Sequence, residues 1–327
     1  MLYPLKFKPI FKERIWGGRK IETVFGKKLP AEGKIGESWE LSGVEGDVSV
    51  VANGSLKGNN LQELIEIYMG DLVGERVFEQ FGEEFPLLIK LIDADDNLSI
   101  QVHPDDKLAA ERHHSFGKTE MWYVVGHEPD AKLYLGFNQP VDKAKYLEYL
   151  EAGKLADLLN AYKVEDGDSY FIPSKTIHAI GKGLLIAEIQ QTSDITYRVF
   201  DWNRVDPKTG KGRELHTELA LDAIDYKARS DYKTVAAPQR NAPVTLEKCP
   251  YFQTNSLVVD GTAVRDYAPL DSFVIYICLD GELTLTCESG SESLKKGETV
   301  LIPAEMNEVT LSGRGKVLEV YIPEEGK

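Results

Sequence analysis

Cysteine is scarce in this sequence, with three among 327 residues (Cys249, Cys278 and Cys287) and no Cys-x-x-Cys spacing. That excludes a disulfide framework and a thiolate metal knuckle, and it suits a reduced, cytoplasmic protein. No apolar run reaches the roughly eighteen residues that a membrane helix needs, so no membrane is expected as a partner. The opening "MLYPLKFKPIFKERIW" scatters charge through what would be the apolar region of a secretory signal, and none is expected. Of the two Asn-x-Ser sites, Asn53 and Asn97, the second runs into a strand-like stretch, which argues further against secretion. Positive charge is also short: 38 Lys and Arg stand against 53 Asp and Glu, a net −15. Without a basic stripe nucleic acid is not an expected partner. An acidic chain that handles an anionic substrate must instead gather its cations inside the site. Histidine is absent after His216, so the C-terminal third has no imidazole with which to build a metal site. No apolar helical seam is evident, and a monomer is expected.

What is present is mostly short β-like runs. Helical spacing appears over about 59–84 (Leu61, Leu64, Ile65, Tyr68, Leu72, Val73, with Asn60 as N-cap), over 141–164 (Leu147, Leu150, Leu155, Leu158, Leu159) and over 217–226 with Thr217 as cap. The stretch "AAPQRNAP" (236–243) reads as a linker between a catalytic part, 1–235, and a β module, 244–327. A repeat joins the parts: "GDSYFIPSKTIH" (167–178) and "GETVLIPAEMNE" (297–308) share Gly, an acidic residue, a β run and Pro six positions on. This spacing resembles the second half of the cupin signature, in which a strand enters a small antiparallel barrel after a Gly turn. The first copy ends in His178 and the second in Glu308. The expected fold is therefore mainly β: two cupin-type jelly-roll β-barrels with helical insertions in the N-terminal part, only the first chemically equipped.

The stretch "NLSIQVHPDD" (97–106) sets Ser99, Gln101 and His103 on one face of a strand and Leu98, Ile100 and Val102 on the other. A face that is polar without being charged suits a cavity. Glu120, opening the run "EMWYVV", and His178 complete a set of two imidazoles, one carboxylate and one amide that suits Zn²⁺. His113, His114, His127 and His216 are read as ordinary residues. Together "SIQVHPDD", "GKTEMWYV", "IPSKTIHAIGKG" and "AEIQQTSDITYRVFDWNR" resemble the signature blocks of the type I mannose-6-phosphate isomerases, in their short bacterial form, across most of 1–230. The resemblance implies a zinc-dependent aldose–ketose isomerase, with one Zn²⁺ per chain, that interconverts mannose 6-phosphate and fructose 6-phosphate through a cis-enediol. It places the family's zinc ligands on Gln101, His103, Glu120 and His178.

In "LLIAEIQQTSDITYRVFDW" the residues Glu188, Gln190, Asp194, Thr196 and Arg198 share one parity, unless "TSD" forms a bulge. Arg198 matches the family's catalytic arginine, with Asp194 and Glu188 around it; the bland reading of Glu188 beside Arg198 is a buried ion pair. Lys118 alternates to the face of Glu120 and is a candidate base or proton shuttle, with Glu188 as the alternative. Longer relatives carry His where this chain has Gly117, and His114 is the nearest substitute. Ser99 and Lys90 are candidates for holding the phosphate, Ser99 equally for bonding its own sheet, and Trp16 for lining the sugar pocket. Glu37 and Glu40 have no assigned role. Two rival functions are a non-catalytic cupin that binds sugar phosphates and another metal-dependent cupin enzyme, such as an Fe(II) dioxygenase with two His and one carboxylate. Gln101 as fourth ligand favours zinc over the latter.

Overall fold

The two Gly-x5-Pro copies fold alike. Gly167 (φ 94°) and Gly297 (φ 82°) turn through the left-handed region into the strands Ser169–Ile172 and Thr299–Ile302. The strands stop at Pro173 and Pro303, which have no N–H to continue a ladder. His178 then opens the strand His178–Ile180, and Glu308 opens Glu308–Tyr321. This computed structural model describes residues 2–205 and 209–324.

Antiparallel pairing builds three sheets. A seven-stranded sheet runs in the order Lys233–Thr234, Ser169–Ile172, Glu120–His127, Leu184–Gln191, Leu87–Ala94, Ile35–Leu41, Ile10–Gly18. Facing it, a five-stranded sheet runs Tyr197–Phe200, Ile100–Val102, His178–Ile180, Lys132–Phe137, Leu159–Lys163. These two form the N-terminal jelly roll as a sandwich. The third sheet collects the C-terminal strands, the long Gln253–Asp266, Val274–Cys287 and Glu308–Tyr321 among them, and takes Leu5–Lys6 from the N-terminus onto Thr299–Ile302.

Alternation sorts the side chains into three cores. Ile92, Trp122, Ile172, Ile186, Leu135 and Ile180 fill the space between the two facing sheets. On the outer face of the five-stranded sheet, Ile100, Val102, Ala179 and Val199 meet Tyr146 and Ala220 of the helices Lys143–Glu151 and Thr217–Ala223. The outer face of the seven-stranded sheet, with Leu41, Ile89, Met121 and Ala187, packs in one core with the helix Leu61–Val73 and with Ile275 and Leu301 of the C-terminal sheet. The seven-stranded sheet is thus buried on both faces at its centre, and Leu87–Ala94 has all eight residues buried. Polar groups on its inner face exist only where something inside can use them.

Local signals worked unevenly. Asn60 caps its helix and forms a reciprocal capping box with Glu63. The stretch 141–164 is not one helix: it ends at Glu151, Gly153 turns at φ 67°, and Leu155–Leu158 is a 3₁₀ turn leading into a strand. Leu159 is buried there as a paired strand residue, and Leu155 and Leu158 from the 3₁₀ turn, all three in the core that also holds Tyr146. Thr217 is the first helical residue, not the cap; His216 holds the cap position. The helix Asp106–His113 went unforeseen because it buries only Ala109.

Candidate metal centre and active site

The inner faces of the two sheets carry two rows of side chains at matching height. On the five-stranded sheet Arg198 stands opposite Gln101, and Gln101 opposite His178, across neighbouring strands. On the seven-stranded sheet Trp39, Lys90, Glu188 and Trp122 stand in one row, and Glu120 pairs with Gln190 in the next. Between them lies a cleft of about 380 Å³. Under its lining residues Gln101 and Lys118 lies, as a floor, the group His103, Glu120 and His178, whose ligand atoms all lie within 4.8 Å of one another.

Both imidazoles are fixed by backbone. Nδ1 of His103 lies 2.9 Å from the Ile195 carbonyl and Nδ1 of His178 lies 2.8 Å from that of Thr176. A carbonyl only accepts, so each Nδ1 carries the proton and each Nε2 is left with its lone pair. These Nε2 atoms face Glu120, at 3.5 Å from Oε2 and 3.4 Å from Oε1. Burial, followed by the positive charge of Lys118, holds His103 well below its ordinary value; burial takes His178 down to about 4. Both rings are therefore neutral, as ligands must be. Glu120 is fully buried; its Oε2 is met by Lys118, and among the described residues no donor makes a hydrogen bond to Oε1. Burial pushes its pKa up to about 7, Lys118 opposing and Glu188 adding to the rise. Two unprotonated ring nitrogens aimed at a buried carboxylate are the donor set of a divalent cation. Gln101 reaches the same point, with Nε2 at 3.3 Å from Nε2 of His178. Its amide must turn over to offer the oxygen.

Lys118 comes to the floor as its parity with Glu120 suggested: Nζ is 2.9 Å from Oε2 of Glu120 and 3.0 Å from Nε2 of His103. Burial works against its charge, but Glu120 and Glu188 outweigh burial and raise its pKa. Glu188 is buried and lies 3.1 Å from Lys90, and it accepts a 2.8 Å hydrogen bond from Trp122. Burial pushes Glu188 up, yet Lys90 and Lys118 outweigh it and hold the carboxyl low. Lys90 therefore belongs to this pair, with Trp39 under it at 5.2 Å from the ring centroid. Ser99 and Trp16, both buried, line the cleft, and Oγ of Ser99 lies 3.5 Å from Oε1 of Gln101.

The C-terminal end of the "TSD" block departs from the parity expected of it. The strand stops at Gln191, the chain crosses to the other sheet, and a new strand starts at Tyr197. Arg198 therefore faces Glu188 across the cleft rather than standing beside it, and its Nη1 donates to the Glu214 carbonyl at 2.8 Å. Among the described residues neither Glu188 nor Asp194 forms an ion pair with Arg198. Asp194 is exposed at the rim, and Gln190 turns its amide to the carbonyls of Gln191 and Ser193. Leu98 also breaks the expected alternation: the strand starts only at Ile100, and Leu98 lines the cleft with Ser99. His114 faces a neighbouring groove, not this cleft. A Cβ on Gly117 would lie 2.6 Å from the backbone nitrogen of Asp106, so no His fits there.

Four cleft residues escaped the sequence reading. Arg14 grips Glu37 through Nε and Nη2 at 3.2 and 3.1 Å, and Trp39 donates to Glu37 at 2.7 Å. Arg213 lines the cleft and is held by Asp201 at 2.8 and 2.7 Å. Alternation in "GESWEL" was the available signal for Glu37 and Trp39; Arg14 and Arg213 are placed by tertiary structure alone. Cations Arg14, Lys90, Lys118, Arg198 and Arg213 line the cleft against acids Glu13, Glu37, Glu188 and Asp194. Counting Glu120 at the floor, cations and acids balance here, five against five, in a chain of net −15.

Comparison with known proteins agrees with this picture. Residues 4–137 match the family model for "Phosphomannose isomerase type I, catalytic domain", and residues 243–322 that for "Mannose-6-phosphate isomerase, cupin domain". The chain is 38% identical to mannose-6-phosphate isomerase ManA of Bacillus subtilis over 98% of its own length and 99% of that protein's. It is 34% identical to the mannose-6-phosphate isomerase of Streptococcus mutans, covering 93% of each. The crystal structure of the mannose 6-phosphate isomerase from Bacillus subtilis superposes with a TM-score of 0.88 at 34% identity, covering 98% of this chain and 99% of that one. With two facing sheets, a buried His–Glu–His group and full-length identity of this order, the chain belongs to the type I mannose-6-phosphate isomerase family.

Proposed function

We propose that this protein interconverts mannose 6-phosphate and fructose 6-phosphate through a cis-enediol, at a site built for one zinc ion. The observation that carries the proposal is the convergence of two fixed Nε2 lone pairs on a buried carboxylate, whose other charged neighbour is Lys118, at the floor of a cation-lined cleft. Gln101, His103, Glu120 and His178 would hold the ion; when bound, it supplies Lewis-acid stabilisation of negative charge on the sugar oxygens. Lys118, released from the charge of Glu120 once that carboxylate is taken up, is the group placed to pass the proton between C1 and C2. Glu188, already committed to Lys90 and Trp122, is the alternative base. Arg198 faces the sugar from the other sheet and offers a planar fork to the enediolate or the phosphate. Ser99 and Arg213 extend that polar end towards the phosphate, while Trp16 and Trp39 exclude water from the other.

The same reading keeps residues 1–235 as the catalytic part, 236–243 as the connection and 244–327 as a β module without metal, in a cytoplasmic monomer. A coupled assay for fructose 6-phosphate formed from mannose 6-phosphate, run before and after chelation and again with zinc restored, tests the proposal. Activity lost with the metal and recovered with zinc is expected. No turnover at any metal loading would overturn it.

A further inference from the structure

The Asp pair of "QVHPDD" has a use that the cleft does not exhaust. Asp105 caps the helix Asp106–His113. Asp106 faces the other way and gathers three donors. Its Oδ1 accepts from the backbone N–H of Gly117 at 2.8 Å and from Nε2 of Gln191 at 2.9 Å, and its Oδ2 accepts from the hydroxyl of Tyr251. Gln191 continues the chain of contacts, its Oε1 accepting from the backbone N–H of Thr119 at 2.8 Å. Asp106 and Gln191 therefore clamp the amides on either side of Lys118, immediately before the carboxylate Glu120. The clamped residues are buried, with Lys118 and Thr119 each 4% exposed. Tyr251 lies beyond the 236–243 stretch, in the bend between the strands Pro243–Lys248 and Gln253–Asp266 of the C-terminal sheet.

We infer that Tyr251, Asp106 and Gln191 form a strap by which the C-terminal module positions Lys118 and Glu120. All three are positioning residues, since none borders the cleft. The segment needs such a strap. Gly117 has no side chain to anchor it, and a Cβ there would collide with Asp106. The segment's other ties include the Lys118 N–H to the Pro104 carbonyl at 3.3 Å, a strand link between Gln191 N and Thr119 O at 3.2 Å, and the Ser174 N–H to Thr119 Oγ1 at 3.3 Å. Hydrogen bonds to a charged acceptor are roughly twice as strong as neutral ones, and Asp106 collects three. A loose Lys118 would still bind substrate but would rarely meet the geometry for proton transfer.

The inference rests on the isomerase reading of the cleft, so its test includes a measurement independent of turnover. In the full-length, zinc-loaded protein, Tyr251→Phe should speed amide exchange of Gly117 and Thr119 about threefold and lower kcat about three- to tenfold, with KM within about twofold and zinc content full. Asp106→Ala, which orphans all three donors, should cost roughly thirtyfold or more in kcat, and Asp106→Asn, whose oxygen still accepts from Gly117 and Gln191, should restore most of that loss. If Asp106→Ala does not fold, Gln191→Met takes its place and should show the same exchange and rate changes. A lower melting temperature with kcat and amide exchange unchanged would mean an ordinary structural contact and overturn the strap; so would a rise in KM alone. A wild-type protein without isomerase activity would instead sink the reading of the cleft, while the exchange data would still decide whether the strap holds the segment.

Discussion

His103 and His178 come from different stretches of chain, yet their rings sit 4.8 Å apart with both Nδ1 protons given to backbone carbonyls and both Nε2 atoms turned to Glu120. In its neutral form neither ring has a proton left to give to the cleft. This makes metal content the first quantity to measure. Purified protein should hold one zinc per chain by elemental analysis, and His103→Ala or His178→Ala should each lose it, because a remnant of three ligands binds far more weakly. Stoichiometric zinc in the double variant would refute the ligand set.

The same burial predicts how the metal-free protein responds to acid. An unfolded chain protonates these imidazoles near their ordinary 6.5, whereas the folded protein resists until about 4 at His178 and well below 6.5 at His103. Between those values the unfolded state binds more protons, so stability is full above 6.5 and falls as pH drops towards 4. Glu120 acts in the opposite sense between about 7 and its ordinary 4.5, since the folded state holds its proton more tightly. Two imidazoles against one carboxylate leave a net loss. Glu120→Gln removes the opposing contribution, and its thermal midpoint should fall more steeply with acid than that of the wild type. An equal or shallower slope would contradict the assignment.

Arg198 and Lys118 separate catalysis from mere sugar binding. Arg198→Lys should keep zinc and fold yet lower kcat by about two orders of magnitude if the guanidinium stabilises the enediolate. A loss confined to KM would assign Arg198 to the phosphate. Lys118→Met should retain fold and lose turnover, and solvent deuterium should no longer enter the sugar at C1 or C2. Exchange at the wild-type rate would pass the role of base to Glu188.

Cutting the chain within 236–243 should leave an insoluble or loosely packed protein, because Leu41, Ile89 and Met121 share one core with Ile275 and Leu301. Sedimentation and near-ultraviolet circular dichroism would report it. A soluble, well-packed fragment would show that the seven-stranded sheet tolerates an uncovered outer face.

The parts of the site legible in the sequence are those that period-two alternation can reach from one short stretch. Gln101 with Ser99, Glu120 with Lys118, and the His178 copy of the Gly/Pro repeat all met at the cleft floor. Alternation failed where the chain left a sheet: it cannot show that residues 192–196 cross from one layer to the other, so Glu188 and Arg198 were drawn as neighbours when they face each other. Lys90 shows the same limit, since its partner Glu188 lies 98 positions away in sequence on a neighbouring strand. Arg213 and Tyr251 lie in stretches without periodicity, and nothing local marks them.

Gln101 and His178 belong to one sheet and Glu120 to the other. An ion held by all three would therefore act as a gauge block between two layers, and its bond lengths would bear on the gap. An ion with longer bonds than zinc, such as Mn²⁺ or Ca²⁺, would wedge the layers apart and draw Lys118 away from Arg198. Metal preference in this enzyme then becomes a question of interlayer distance, and activity across a series of substituted ions should follow ionic radius more closely than binding strength.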